Sequence, residues 1–125
     1  MSARVALVLA SLLAAAAVAA GAFGAHALKA RPSADLLGVW QTAVLYHALH
    51  AVALLGVGLL LLARPELGAA RLAAWLFVAG IVLFSGSLYA LSLTSVRPLG
   101  AITPFGGLAM IAGWLALAWA CWSIR

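Results

Sequence analysis

Charge is what this chain has least of. Only 7% of its residues are Asp, Glu, Lys or Arg, against roughly 25% in ordinary soluble domains. Just two of them, Asp35 and Glu66, are acidic, and both stand between apolar runs. No nucleophile–base–acid set can be assembled from so little, which removes a hydrolase from consideration. Cysteine is nearly absent as well: Cys121 is alone, so no disulfide closes within the chain and the redox compartment stays open. No stretch reads as a soluble domain, a long linker or a low-complexity tail. The seven basic residues give a net charge of +5 without clustering. Arg4, Lys29, Arg31, Arg64, Arg71, Arg97 and Arg125 stand singly or in pairs at the ends of apolar runs, as headgroup contacts do, and this argues against nucleic acid as a partner.

What the chain has in excess is apolar surface. Hydrophobic residues make up 68% of its 125 positions, more than the interior of so short a chain can hide from water. The lipid bilayer is therefore its solvent and its first partner. Four apolar runs, over 5–28, 36–63, 72–93 and 99–124, each exceed the roughly 20 residues that cross a hydrocarbon core as helix. Helix is expected because a lipid-exposed backbone must satisfy its own hydrogen bonds. Short connections keep sequence neighbours antiparallel. The expected fold is all-α: a polytopic membrane protein, one domain, built as a four-transmembrane-helix antiparallel bundle.

The boundaries follow from local chemistry. The first run, behind Met1–Arg4, also has the form of a cleavable signal peptide, but it continues unbroken to Lys29, too long for that, so a retained helix is expected. Ala17, Gly21 and Ala25, four apart, allow another helix to come close. Pro32 stops the first helix, and Ser33 or Asp35 caps the second. Arg64–Arg71 is a tight return. At the fourth run, Thr103 as cap and Pro104 in the first turn would leave 99–102 as a separate lead-in; the alternative is one continuous, kinked helix. With face A holding both chain ends and the second loop, basic residues divide four to three between A and B. That excess favours both termini in the cytoplasm. Trp75, Trp119 and Trp122 fall near face A and Trp40 near face B, as interfacial belts do.

The polar residues of the apolar runs gather towards face B. His26 ends the first run; Gln41, Thr42, Tyr46, His47 and His50 open the second; Ser85, Ser87, Tyr89 and Ser92 close the third; Thr103 opens the fourth. At about 100° per residue, Thr42, Tyr46 and His50 form one stripe with His47 flanking it, and Ser85, Tyr89 and Ser92 share a second sector. Such stripes should face other helices rather than lipid. The candidate cluster is thus His26, Tyr46, His47, His50 and Tyr89. The plain reading is interhelical hydrogen bonding. The alternatives are a metal held by His26, His47 and His50, a haem between His26 and His47 or His50, and a proton relay or quinone pocket. The first N–H groups of the fourth helix, around Phe105–Gly107, would point an anion-binding end into the same region. Gly80, Gly86 and Gly113 read as close-packing positions, whereas Gly106 and Gly107 fit packing or an open backbone for a ligand.

Four blocks carry a resemblance: Gly21–Leu28 (GAFGAHAL), Trp40–His50 (WQTAVLYHALH), Phe84–Tyr89 (FSGSLY) and Ile102–Gly107 (ITPFGG). Together they resemble a family of small bacterial inner-membrane proteins called domain of unknown function 423, whose animal relatives go by the name transmembrane protein 256. The resemblance implies a multi-pass protein of the bacterial inner membrane with no established activity, and it supplies no catalytic residues to carry over. It also counts against cleavage before His26. Two functional expectations stand. One is a non-enzymatic accessory protein that packs with itself or a larger membrane complex. The other is a module binding haem, quinone, metal or lipid through the histidine–tyrosine cluster.

Overall fold

A computed structural model describes residues 1–27 and 34–124. Four helices run through it: α1 (Ala3–His26), α2 (Ala34–Ala63), α3 (Gly68–Thr94) and α4 (Thr103–Trp122). A 3-10 turn, Arg97–Ala101, leads into α4. All four spans are long and apolar enough to cross a bilayer. Their intrahelical hydroxyls turn back on the backbone, as a lipid setting requires. Ser11 donates to the Leu7 carbonyl at 2.9 Å, Thr42 to Gly38 at 3.1 Å and Thr94 to Ala90 at 2.6 Å.

The helix ends differ in detail from expectation. Ser2 caps α1, its Oγ accepting the Val5 N–H at 3.3 Å. Asp35 lies inside the first turn of α2 rather than before it; Ser33 and Pro32 lie outside the described residues. The separate lead-in to α4 is the 3-10 turn. Thr103 is the first residue of the helix, not its cap, because its hydroxyl is engaged elsewhere. Ser95 ends α3 in the left-handed region (φ 59°), its N–H closing on Leu91 at 2.8 Å.

α3 is not uniform. Ile81–Ser85 is π-helical, between α-helical Gly68–Gly80 and Gly86–Thr94. One wide turn of this kind takes in an extra residue and re-aims everything after it. It lies where α4 comes closest. A Cβ on Gly106 would overlap the Phe84 backbone nitrogen and stand 2.7 Å from its Cα. A Cβ on Gly80 would meet Met110 Cγ at 2.5 Å, and one on Gly113 the Phe77 ring at 2.7 Å. Gly106 lets α4 meet the α3 backbone at Phe84, while Gly80 and Gly113 make room for the Met110 and Phe77 side chains of the facing helix. Gly86 is not such a position, having only the Ile81 carbonyl at 3.9 Å.

Each helix packs mainly on its sequence neighbour: α1 on α2, α2 on α3, α3 on α4. α2 and α3 are the inner pair and α1 and α4 the outer pair, since the most apolar windows of the former are 39% buried and those of the latter 17%. The start of α1, the α2–α3 turn and the end of α4 share one end of the molecule, end A. There Ala6, Ala10, Leu54, Val57, Leu61, Ala70, Ala74 and Ala120 form a dry core of mostly small side chains, with Phe77 at its inner edge. The polar side-chain contacts between helices lie in the middle of the molecule and towards the opposite end, end B.

Candidate functional site

Two polar clusters lie at different depths. The deeper is built on His50, 2% exposed. It sits about 24 Å along α2 at 1.5 Å per residue, close to the helix midpoint and deeper than the B half where the sequence reading put it. Its Nδ1 lies 2.8 Å from the Tyr46 carbonyl and its Nε2 accepts the Trp114 indole N–H at 3.1 Å. A carbonyl only accepts and an indole N–H only donates, so the partners settle the tautomer: the proton is on Nδ1 and the lone pair on Nε2. The rings of Phe77 and Trp114 close around it edge-on, at 5.4 and 6.0 Å. Tyr46 stacks nearly parallel at 6.2 Å but is itself 39% exposed, its ring leaning on Phe84.

The second cluster is nearer end B. His47, 5% exposed, meets the Tyr89 hydroxyl at Nδ1, 2.9 Å. Its Nε2 is buried without a hydrogen-bond partner. The Leu13 backbone of α1 lies beside the ring. A neutral ring that accepts from the Tyr89 hydroxyl at Nδ1 carries its proton on Nε2, and the other tautomer would donate to that hydroxyl instead. Tyr89 stacks against Trp40 at 4.5 Å, and Trp40 against Phe23 at 5.4 Å. Trp40 is therefore no belt residue. It is 6% exposed, its indole N–H donates to the Ala20 carbonyl at 2.8 Å, and the missing side chain of Gly24 makes room for its ring.

The serines divide rather than converge. Ser85 donates to the Ala43 carbonyl of α2 at 2.8 Å, fully buried. Ser87 donates to Phe84 and pairs with Thr103 of α4 at 2.7 Å. Ser92 turns back on Leu88. His26 ends α1 on the exposed side, and among the described residues no hydrogen bond or ring contact joins it to His47 or His50. No three described His, Cys, Asp or Glu residues come together, so the three-histidine metal set is not assembled. The start of α4 is not an open anion site either. The Phe105 N–H is taken by the Ile102 carbonyl at 3.1 Å, and Gly106 is pressed onto Phe84.

Trp114 is the residue that sequence reasoning missed. Its signal was present: an indole in mid-span, away from either interface, needs an acceptor inside the protein. Chemically, the two clusters join helices. Three of the four imidazole nitrogens of His47 and His50 already have partners.

A family model described as protein of unknown function (DUF423) matches residues 20–107. The chain is 46% identical over 114 residues to the UPF0382 membrane protein YwdK of Bacillus subtilis, covering 91% of this chain and 93% of that one. It is 45% identical over 114 residues to a UPF0382 membrane protein of Staphylococcus saprophyticus, with the same coverage. A Staphylococcus epidermidis relative of that name is 46% identical over 114 residues, 91% of this chain and 92% of the relative. No solved structure matches.

Proposed function

We propose, for a chain that belongs to the DUF423 family of membrane proteins of unknown function, a non-enzymatic accessory role: a small membrane-embedded body that packs with itself or with a larger membrane complex. The observation that carries this reading is the state of His50. Both of its nitrogens are occupied, by Tyr46 and by Trp114. Binding iron or another metal there would first require breaking an interhelical bond. The outer helices support the same reading. Beyond their single neighbours, α1 and α4 present wide apolar faces, including Val8, Leu12 and Val18 on one and Phe105, Leu108 and Leu115 on the other.

One observation favours the ligand-binding alternative. His47 Nε2 is a buried polar atom without a partner, and buried orphans mark places where a ligand, water or proton is accommodated. It lies under α1, so a ligand would have to part α1 from α2 to reach it. For location, the reading is the bacterial plasma membrane with both termini cytoplasmic, supported by the basic excess at end A.

Two measurements on one preparation separate the readings. Protein purified in mild detergent is expected to lack a Soret band and to carry no stoichiometric metal. Crosslinking in native membranes is expected to trap a homo-oligomer or a defined larger complex. Free monomer alone after crosslinking would sink the accessory role. A reducible haem spectrum lost on joint His47→Ala and His50→Ala substitution would establish the alternative.

A further inference from the structure

We infer that end A holds a binding site for a phosphate group of the kind an anionic lipid headgroup carries, in the cavity between the start of α1 and the α2–α3 turn. The cavity is open-mouthed, about 360 Å³, and lined by Met1, Ser2, Ala3, Leu61, Pro65 and Arg71. Its lining has two characters. Leu61, Ala3 and the Met1 side chain make an apolar floor continuous with the core, while Ser2 and Arg71 supply polar groups at the rim. That mixture matches the boundary between acyl chains and headgroups, where the helix ends place it.

Arg71 is held ready. Its Nη2 donates to the Pro65 carbonyl across the turn, which orients the guanidinium and leaves further N–H donors of its five-donor fork for an acceptor at the cavity. No side-chain carboxylate is at hand to take them. The chain has two acidic residues. Glu66 is bonded to Arg64 at 2.5 Å, and Asp35 is in the first turn of α2, at the far end of that helix from the turn. Among the described residues no carboxylate pairs with these donors, and a phosphate oxygen is the group that a guanidinium at headgroup depth meets. Ala3 belongs to the first turn of α1, whose positive dipole end adds to the same field. Together, a cavity of headgroup size, an oriented cation and a nearby carboxylate already paired with Arg64 favour a ligand, where scattered basic residues would give only a general attraction. The inference does not depend on the accessory role.

The test uses the full-length protein in phosphatidylcholine nanodiscs, titrated with phosphatidylglycerol and read by native mass spectrometry. Wild type is expected to retain phosphatidylglycerol over phosphatidylcholine by about fivefold, the worth of one basic side chain at a membrane surface. Arg71→Gln should abolish the preference and Arg71→Lys should keep part of it. Arg97→Gln, an equal loss of charge at the other end, should leave it intact. Ala3→Leu fills the cavity without touching the charge and should also abolish the preference, so the site remains testable if Arg71→Gln fails to fold. No preference in wild type, or a preference surviving both Arg71→Gln and Ala3→Leu, overturns the site. Release of bound phosphatidylglycerol by millimolar inorganic phosphate would overturn the lipid as the source and make the ligand a soluble phosphate.

Discussion

His50 and Trp114 are the pair on which the middle of the molecule turns. An indole N–H at mid-span has no water to meet, and an imidazole has two nitrogens to satisfy. Each answers the other, and the Tyr46 carbonyl takes the remaining proton. His50→Ala is expected to cost about 0.6–2 kcal/mol, the range of membrane interhelical hydrogen bonds, read as a lowered unfolding midpoint in detergent. Trp114→Phe should cost less because its ring still covers Phe77. The double mutant should lose less than the sum, since both changes remove one bond. Strictly additive losses would show that the bond contributes nothing. At the surface, Arg64 beside Glu66 holds that carboxyl below the usual glutamate range. A depressed folded pKa means that the stabilisation is present above the ordinary carboxylate range and fades as pH falls through the lowered value. The pair is exposed, so the effect is small. Melts of wild type and Glu66→Gln should differ slightly at neutral pH and coincide in strong acid; a difference that persists in acid would remove Arg64 as its cause.

At the scale of elements, the α3–α4 contact is set by glycine and by the π turn. Gly106 lies against Phe84 backbone, which cannot move aside as a side chain can. Gly106→Ala is therefore expected to destabilise by about 1–3 kcal/mol through overpacking. Gly56, where an added Cβ would meet nothing within 4 Å, gives the contrast: Gly56→Ala should be neutral or stabilise by up to about 1 kcal/mol from helix propensity. Thermal unfolding of both variants in one detergent decides it, and equal effects would refute the backbone contact. The π turn also explains why the α3 serines part company. Ser85 within it reaches α2, while Ser87 just past it reaches α4. An ideal helical projection cannot anticipate that division.

For the whole molecule, the packing is a succession of neighbours, with α2 and α3 covered and α1 and α4 half-open. The start of α1, the α2–α3 turn and the end of α4 lie at end A, and the turn into α4 lies at end B. With Cys121 replaced by Ala, a single cysteine introduced at Glu66 is expected to react with a membrane-impermeant maleimide only after cells are opened, and one at Val96 in intact cells. The reverse pattern would invert the proposed orientation.

Residue chemistry alone determined that this chain lives in lipid and crosses four times as helix, and it placed most of the polar side chains towards one end, with His50 lying deeper than expected. Those conclusions need only composition, run length and depth, which are properties of single segments. The same sequence could not say which polar groups would meet. His26 and His47 are both near end B by depth, yet only His47 is turned inwards. Trp40 has the position of a belt residue, yet it fills the space left by Gly24. Trp114 gave no periodic pattern with His50, 64 residues away. Rotation of each helix about its axis, the close approach at Gly106 and the extra residue in the π turn decide these pairings. They are set by packing between helices, which tertiary structure alone contains.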